Sequence, residues 1–479
     1  VRRLHVSWLI GLFAGGILAG VAIAPLLDHP IASDIELLVV AISLLVFSLI
    51  NRKLIAIGFI VLSGFLIGTY RGDIAVTSFT QYQPDYGQVV EIQGKVSEDT
   101  TITTDGEQRI QLKEILVNGK SLDGKIWIST KSNEQIDRSD IVTARGKLNE
   151  GFGSFQASIH RAELKQVTKV QHSDLAREVR DWFSNGAKAV ISEPEVSLGI
   201  GYLTGQRNTL PEQLDENLRI LGLTHVVVAS GYNLTILVRI TRRGLAKVSK
   251  YLATSAALIM MSGFILVTGF SPSMSRAGIV TGMSLLAWYF GRKIHPFVLL
   301  PLAAAITVLI DPVFIWGDIG WYLSFAAFAG VIILAPLLTH YFFGEKELGT
   351  VPRILVETTS AQLATMPIIA YVFGQYGPLA VPANLLILPF VPLAMALTFV
   401  AGVASVSGIP FAGLFGLPAQ GLLDYMTTTI DKLAALPVAH GELGFSIGAL
   451  AGSYILMVLA GVFLWRRTNH NFKQDSIVE

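Results

Sequence analysis

Residues 201–234 read GYLTGQRNTLPEQLDENLRILGLTHVVVASGYNL. Pro211, the acidic residues just after it and leucines at helical spacing predict a helix over 211–221, which Gly222 ends. His225 then opens an apolar run that is interrupted at Ser230-Gly231. A small-residue pair inside a membrane segment weakens the helix and frees main-chain groups. Such a break survives at membrane depth only when it is buried in protein or lines water. The half-helix N-terminus it creates offers free N–H groups and a partial positive charge, which suits an anion.

The chain around this stretch is a membrane protein. Of 479 residues, 52% are hydrophobic and 15% charged, against roughly 25% charged in soluble domains. Mean hydropathy is +0.55. A soluble enzyme and a disordered chain are thereby excluded. The net charge of +1 gives no overall basic field. The absence of cysteine excludes disulfides, thiolate metal sites and thiol catalysis.

Three apolar stretches open the chain, Trp8–Leu27, Leu37–Ile50 and Leu54–Tyr70, and are read as three spans with no cleaved signal. Nine further candidates follow: Leu223–Ile240, Leu252–Phe270, Met274–Phe290, Phe297–Ile310, Ile319–Leu338, Ile354–Phe373, Val381–Val403, Phe411–Ala435 and Ile447–Trp465. Pieces between Leu379 and Ala435 are candidates for re-entry. Lys and Arg at 2–3, 52–53, 242–250, 291–293, 346–353 and 466–467 mark the cytoplasmic side, with both termini inside.

Between about 75 and 170 charge of both signs becomes dense and long apolar runs vanish. Alternating stretches at Val89–Val96, Gln108–Val117, Gly124–Thr130, Asp140–Leu148 and Ser154–Leu164 predict five strands, with Asp105-Gly106 and Asn118-Gly119 as turns. Five short strands suggest an extracellular OB-like β-barrel. Its balanced charge leaves two uses open, a plug or docking module and a DNA contact. The expected architecture is a polytopic α-helical membrane protein with this five-stranded barrel inserted. Its parts are N-terminal helices (1–72), the β-module (73–170), interfacial helices (171–222), a channel domain (223–466) and a cytoplasmic tail (467–479).

The stretch 201–234 resembles the competence region of the ComEC family, inner-membrane channels for transforming DNA. The matching residues are Gly205-Gln206-Arg207, Gly222-Leu223-Thr224-His225 and Ser230-Gly231-Tyr232-Asn233. The family usually has Asp at the Gln206 position and a second His at the Asn233 position, so a paired-His role does not carry over. Arg276-Ala277, Asp311-Pro312, Asp318 to Phe325, Gln362 to Pro367, Phe373 to Gln375 and Asn384 to Pro389 resemble further family elements. The resemblance implies a channel passing single-stranded DNA into the cytoplasm during natural transformation, with no enzyme activity or cofactor. Its implied partners are DNA-receptor and pilus components, a separate nuclease, a cytoplasmic helicase or ATPase, and membrane lipids. Many members carry a metallo-β-lactamase-like domain. No His-x-His-x-Asp-His cluster or Walker P-loop occurs here, so this polypeptide is expected neither to cut the second strand nor to power transport.

The expected channel-lining residues are Arg207, Arg219, His225, Ser230, Asn233, Arg276, Asp318, Gln362 and Asn384. Each has a plainer alternative. His225 can cap a helix, Arg276 and Asp318 can form a structural pair, and the amides Gln362, Asn384 and Gln375 can bridge helices. Tyr232, Trp316, Trp321, Tyr322 and Tyr376 are either base-stacking platforms or interfacial anchors. A transporter for a smaller anionic solute or lipid is the alternative function. A scaffold for another uptake component is a third.

Overall fold

The computed structural model describes residues 5–27, 35–102, 105–132, 134–170, 174–206, 209–227, 231–269, 272–292, 295–344, 348–437, 441–442, 444–470 and 472. The chain is mostly helical, with an N-terminal β-sheet domain. Among the described residues six helical segments are long and apolar enough to cross a membrane: Val6–Leu26, Ala56–Asp85, Lys250–Thr268, Ile319–Phe343, Ala380–Val406 and Ile447–Thr468. Glu36–Asn51 and Pro296–Ile310 are shorter and equally apolar. The chain folds as two units, 1–175 with 297–321, and 176–296 with 322–479.

Helices α1 (Val6–Ile23), α2 (Ile35–Asn51) and α3 (Ala56–Thr80) open the first unit. α1 and α3 meet at glycines. A methyl group at Gly20 would overlap the Phe65 carbonyl oxygen, and one at Gly64 would overlap the Phe13 carbonyl oxygen. The two main chains therefore touch, as small residues allow where lipid supplies no hydrophobic drive between helices.

The strands are β1 (Val89–Val96), β2 (Thr101–Ile102), β3 (Gln108–Val117), β4 (Lys120–Leu122), β5 (Ile126–Thr130), β6 (Ile141–Lys147), β7 (Asn149–Glu150), β8 (Ala157–Ile159) and β9 (Glu163–Thr168). They pair in the order β7-β8-β5-β3-β1-β6-β9, with β2 and β4 also on β3. Alternate residues of β1 and β3 point into one apolar core around Ile92, Ile110, Leu112 and Ile128. The sheet thus has nine strands where five were expected. The expected fifth strand, Ser154–Leu164, is two, because Arg161 takes a left-handed turn (φ 52°) between β8 and β9. The recorded pairing is an open path from β7 to β9, from which OB-like closure does not follow.

The remaining helices, in chain order, are α4 (Leu175–Lys188), α5 (Glu195–Thr204), α6 (Glu212–Ile220), α7 (Thr224–Val227), α8 (Gly231–Leu245), α9 (Lys250–Thr268) and α10 (Pro272–Tyr289). Then come α11 (Pro296–Ile310), α12 (Phe314–Gly317) and α13 (Ile319–Ala329), which passes through a π-helical turn at Gly330–Leu334 into α14 (Ala335–Phe343). Last are α15 (Thr350–Phe373), α16 (Ala380–Ile387), α17 (Val391–Val406), α18 (Gly413–Ala434) and α19 (Ile447–Thr468). In the second unit the largest apolar core joins α5, α6 and α7 to α16, α17 and α18. A smaller one joins α8, α9 and α10. The expected span Leu223–Ile240 contains α7 and α8, and residues 228–230 between them, Ser230 included, lie outside the described residues.

Candidate nucleic-acid interface

α5 is almost wholly buried, because its small and apolar residues admit α17 and α18 on one side and α7 on the other. At its end Gln206, itself buried, collects a polar network. Its Oε1 accepts from Ser184 Oγ at 2.9 Å and Thr204 Oγ1 at 3.3 Å, and its Nε2 donates to Asp181 Oδ1 at 3.3 Å. The buried Arg180 donates to the same Asp181 oxygen at 3.0 Å. Arg207, next in the chain, lies outside the described residues, as does Ser230.

α6 starts after Pro211 and presents Arg219 on an exposed face. Glu216 one turn earlier accepts two hydrogen bonds from its guanidinium, at 2.6 and 2.8 Å, and raises its already high pKa. With Glu212 and Asp215 also on α6, the helix is acidic in sum. His225 is exposed at the start of α7, with Nδ1 2.8 Å from the Gly222 carbonyl oxygen. That bond places the proton on Nδ1 and leaves Nε2 as an acceptor.

Asn233 of α8 ties that helix to α5 and α7. Its side chain is fully buried, and its Nδ2 donates to the main-chain oxygens of Tyr202 (3.1 Å) and Val226 (3.3 Å). One buried amide thus serves main-chain oxygens of α5 and α7 together. Gly231, two residues earlier, packs on α10. A methyl at Gly231 would stand 2.9 Å from the Ala277 Cβ. The Ser-Gly and Arg-Ala elements, some 45 residues apart in sequence, therefore meet. Arg276 beside Ala277 is buried, with its guanidinium carbon 5.5 Å from the Phe325 ring centre.

The other expected residues are held by their own surroundings. Asp318 accepts from the Trp321 main-chain N–H at 2.5 Å and so caps α13. Gln362 is half-buried on α15. Asn384 is buried on α16, and its Oδ1 has no hydrogen-bond partner among the described residues. The same holds for Tyr202 OH and Thr398 Oγ1. Trp321 Nε1 donates to Thr307 Oγ1 at 2.9 Å and Trp316 Nε1 to the Val21 carbonyl at 2.8 Å, so both rings are fixed within the fold. Tyr232 and Tyr322 are exposed. The side chains of Gln375 and Tyr376 lie outside the described residues.

Several polar residues that the sequence did not single out are as tightly built. Buried Glu195 accepts from Gln420 Nε2 (2.9 Å) and Thr427 Oγ1 (3.3 Å). Asn217 donates to Asp431 at 2.8 Å. Arg242 and Lys250 share the Trp288 ring, 5.0 and 5.4 Å from its centre. A charged residue in a stretch of small apolar ones was the available signal for Glu195. Among the described residues no group of three or more His, Asp or Glu is arranged to hold a metal ion.

The model of the family described as Competence protein matches residues 202–468, more than half the chain. The chain belongs to that family. It is similar to ComE operon protein 3 of Bacillus subtilis (strain 168), 24% identical over 253 residues. The aligned stretch covers 51% of this chain and 31% of that protein, so the chain spans about a third of the curated relative it matches. No solved structure matches. The chain is a multi-pass membrane protein of this family. The matched region begins in α5 and takes in every residue from there to the end of α19.

Proposed function

We propose that this chain acts in DNA uptake during competence, as a membrane channel that passes single-stranded DNA into the cytoplasm. The observation that carries the reading is the family match over residues 202–468, within which buried Asn233 donates to the carbonyls of Tyr202 and Val226. A membrane helix interrupted at Ser230-Gly231, as the sequence suggests, would build a polar route there. The buried oxygens of Tyr202, Asn384 and Thr398 add polar groups that have no hydrogen-bond partner among the described residues. A strand carries one charge per nucleotide, so its path requires cations or N–H groups in series. Arg207, Arg219, His225, Ser230, Asn233, Arg276, Asp318, Gln362 and Asn384 are our proposed lining and positioning set. Within it Asn233 positions the break rather than touching the strand, and Arg219 acts with its charge shared by Glu216.

In this reading the β-module faces outward near the entrance and both termini are cytoplasmic. A separate nuclease degrades the second strand, and a separate motor supplies the force. The receptor and pilus components deliver the DNA. Proteoliposomes holding the purified chain should admit a labelled single-stranded oligonucleotide, and His225→Ala or Arg276→Gln should slow entry at unchanged folding. Passage of small organic anions with exclusion of the oligonucleotide would replace this reading with the solute-transporter one.

A further inference from the structure

The sheet domain carries an aromatic cluster at the loop that joins β7 to β8. Phe152 is 49% exposed there. Its ring meets Phe155 at 5.5 Å and Trp127 of β5 at 5.4 Å, and Trp127 meets the exposed His160 at 5.2 Å. Soluble sheets do not usually present such rings together at one edge.

The position of the loop is fixed from below. Gln156 donates to Ser78 Oγ in the last turn of α3 at 3.4 Å and accepts from the Lys125 N–H at 2.6 Å. The Gly153 main chain rests on Gly317 at the end of α12. The neighbouring Trp316 donates to the carbonyl of Val21, near the end of α1, and its ring meets Phe79. Arg71 donates to the carbonyls of Leu309 and Ile310, at the end of α11. The ends of α1 and α11 and the Arg71 level of α3 thus mark one edge of the apolar slab. Ser78 lies about two turns beyond Arg71, roughly 10 Å along the helix. The headgroup zone on each side of a ~30 Å hydrocarbon core is about 5–8 Å thick. Trp316, hydrogen-bonded to α1 at Val21, and Gly317, against Gly153, hold Phe152 beside these helix ends.

We propose that the loop 149–156, with Phe152 at its tip and Phe155 and Trp127 behind it, inserts into the headgroup region of the bilayer at this edge. The juxtaposition of the exposed aromatic loop with the ends of three apolar helices carries the assignment. The partner is the lipid surface itself, since Trp and aromatic rings with one wet and one apolar side settle at that depth. The sheet domain is then docked on the membrane and not free in water. This does not depend on what the protein transports.

The chain has no cysteine, so Phe152→Cys and Glu150→Cys each give a unique site for an environment-sensitive fluorophore in the full-length protein. Ile102→Cys, 69% exposed on the hairpin beyond the opposite end of β5, is the reference. In nanodiscs of phosphatidylethanolamine and phosphatidylglycerol, lipids spin-labelled near the headgroup should quench positions 152 and 150 at least twofold more than position 102. Both labels should emit to the blue of it. Agreement at Glu150 guards against a loop disturbed by losing Phe152. Equal quenching at all three positions overturns the proposal. A response at 152 to a single-stranded oligonucleotide with no response to quencher lipid overturns it in favour of a nucleic-acid surface.

Discussion

The α1–α3 pair and the α5–α7–α8 junction both bring main chain against main chain, by opposite means. At α1–α3, glycines face carbonyl oxygens while each helix keeps its own hydrogen-bond ladder. At the junction a buried side chain does the joining, as Asn233 donates to the carbonyls of Tyr202 and Val226. The first contact is a matter of volume and tolerates no added atom. The second is a matter of hydrogen-bond supply and tolerates no loss of a donor.

Breaking the first region should have the largest effect. Gly20→Leu places a side chain on the Phe65 carbonyl and should cost about 3 kcal/mol, seen as a lowered unfolding temperature in detergent. Gly15→Ala, at an exposed position with nothing near, should leave it unchanged. Asn233→Leu removes both donors at the break and should cost about 1–3 kcal/mol, with oligonucleotide entry falling more than stability accounts for. A stable Asn233→Leu protein with normal entry would erase the distinction between the two regions.

The sheet domain offers a smaller, pH-dependent test. Glu98 accepts from Gln111 Nε2 at 3.1 Å, and burial, chiefly, raises its pKa above the usual carboxylate range, with Lys125 opposing and Asp99 adding. The fold therefore favours the protonated acid. The penalty is present in full above the raised pKa and is relieved as pH falls from there toward the ordinary value. Glu98→Gln should stabilise the protein at neutral pH and flatten that part of its stability–pH curve. The smallest effect is expected at Arg219→Ala. The Glu216 pair is exposed, so stability should change by less than about 0.5 kcal/mol, while a role in DNA passage would still show in the entry rate.

What could be read from the sequence was local. The bounds of β1 and β3 follow from alternation alone. His160-Arg161-Ala162 hides a turn because it holds no Gly, Pro or Asn, so one expected strand became two. The partners of Glu195 and Asn217 lie more than 200 residues away, at Gln420, Thr427 and Asp431. No spacing rule reaches that far. Glu216, one turn from Arg219, offsets its charge on α6, a pairing that a count of cations alone does not reveal.

Asn233 grips oxygens that every amino acid possesses. Positions 202 and 226 can therefore drift in identity without loosening the clasp, whereas position 233 needs a side chain that donates. Relatives should thus vary freely at the sites being held and keep a donor, asparagine or histidine, at the site that holds.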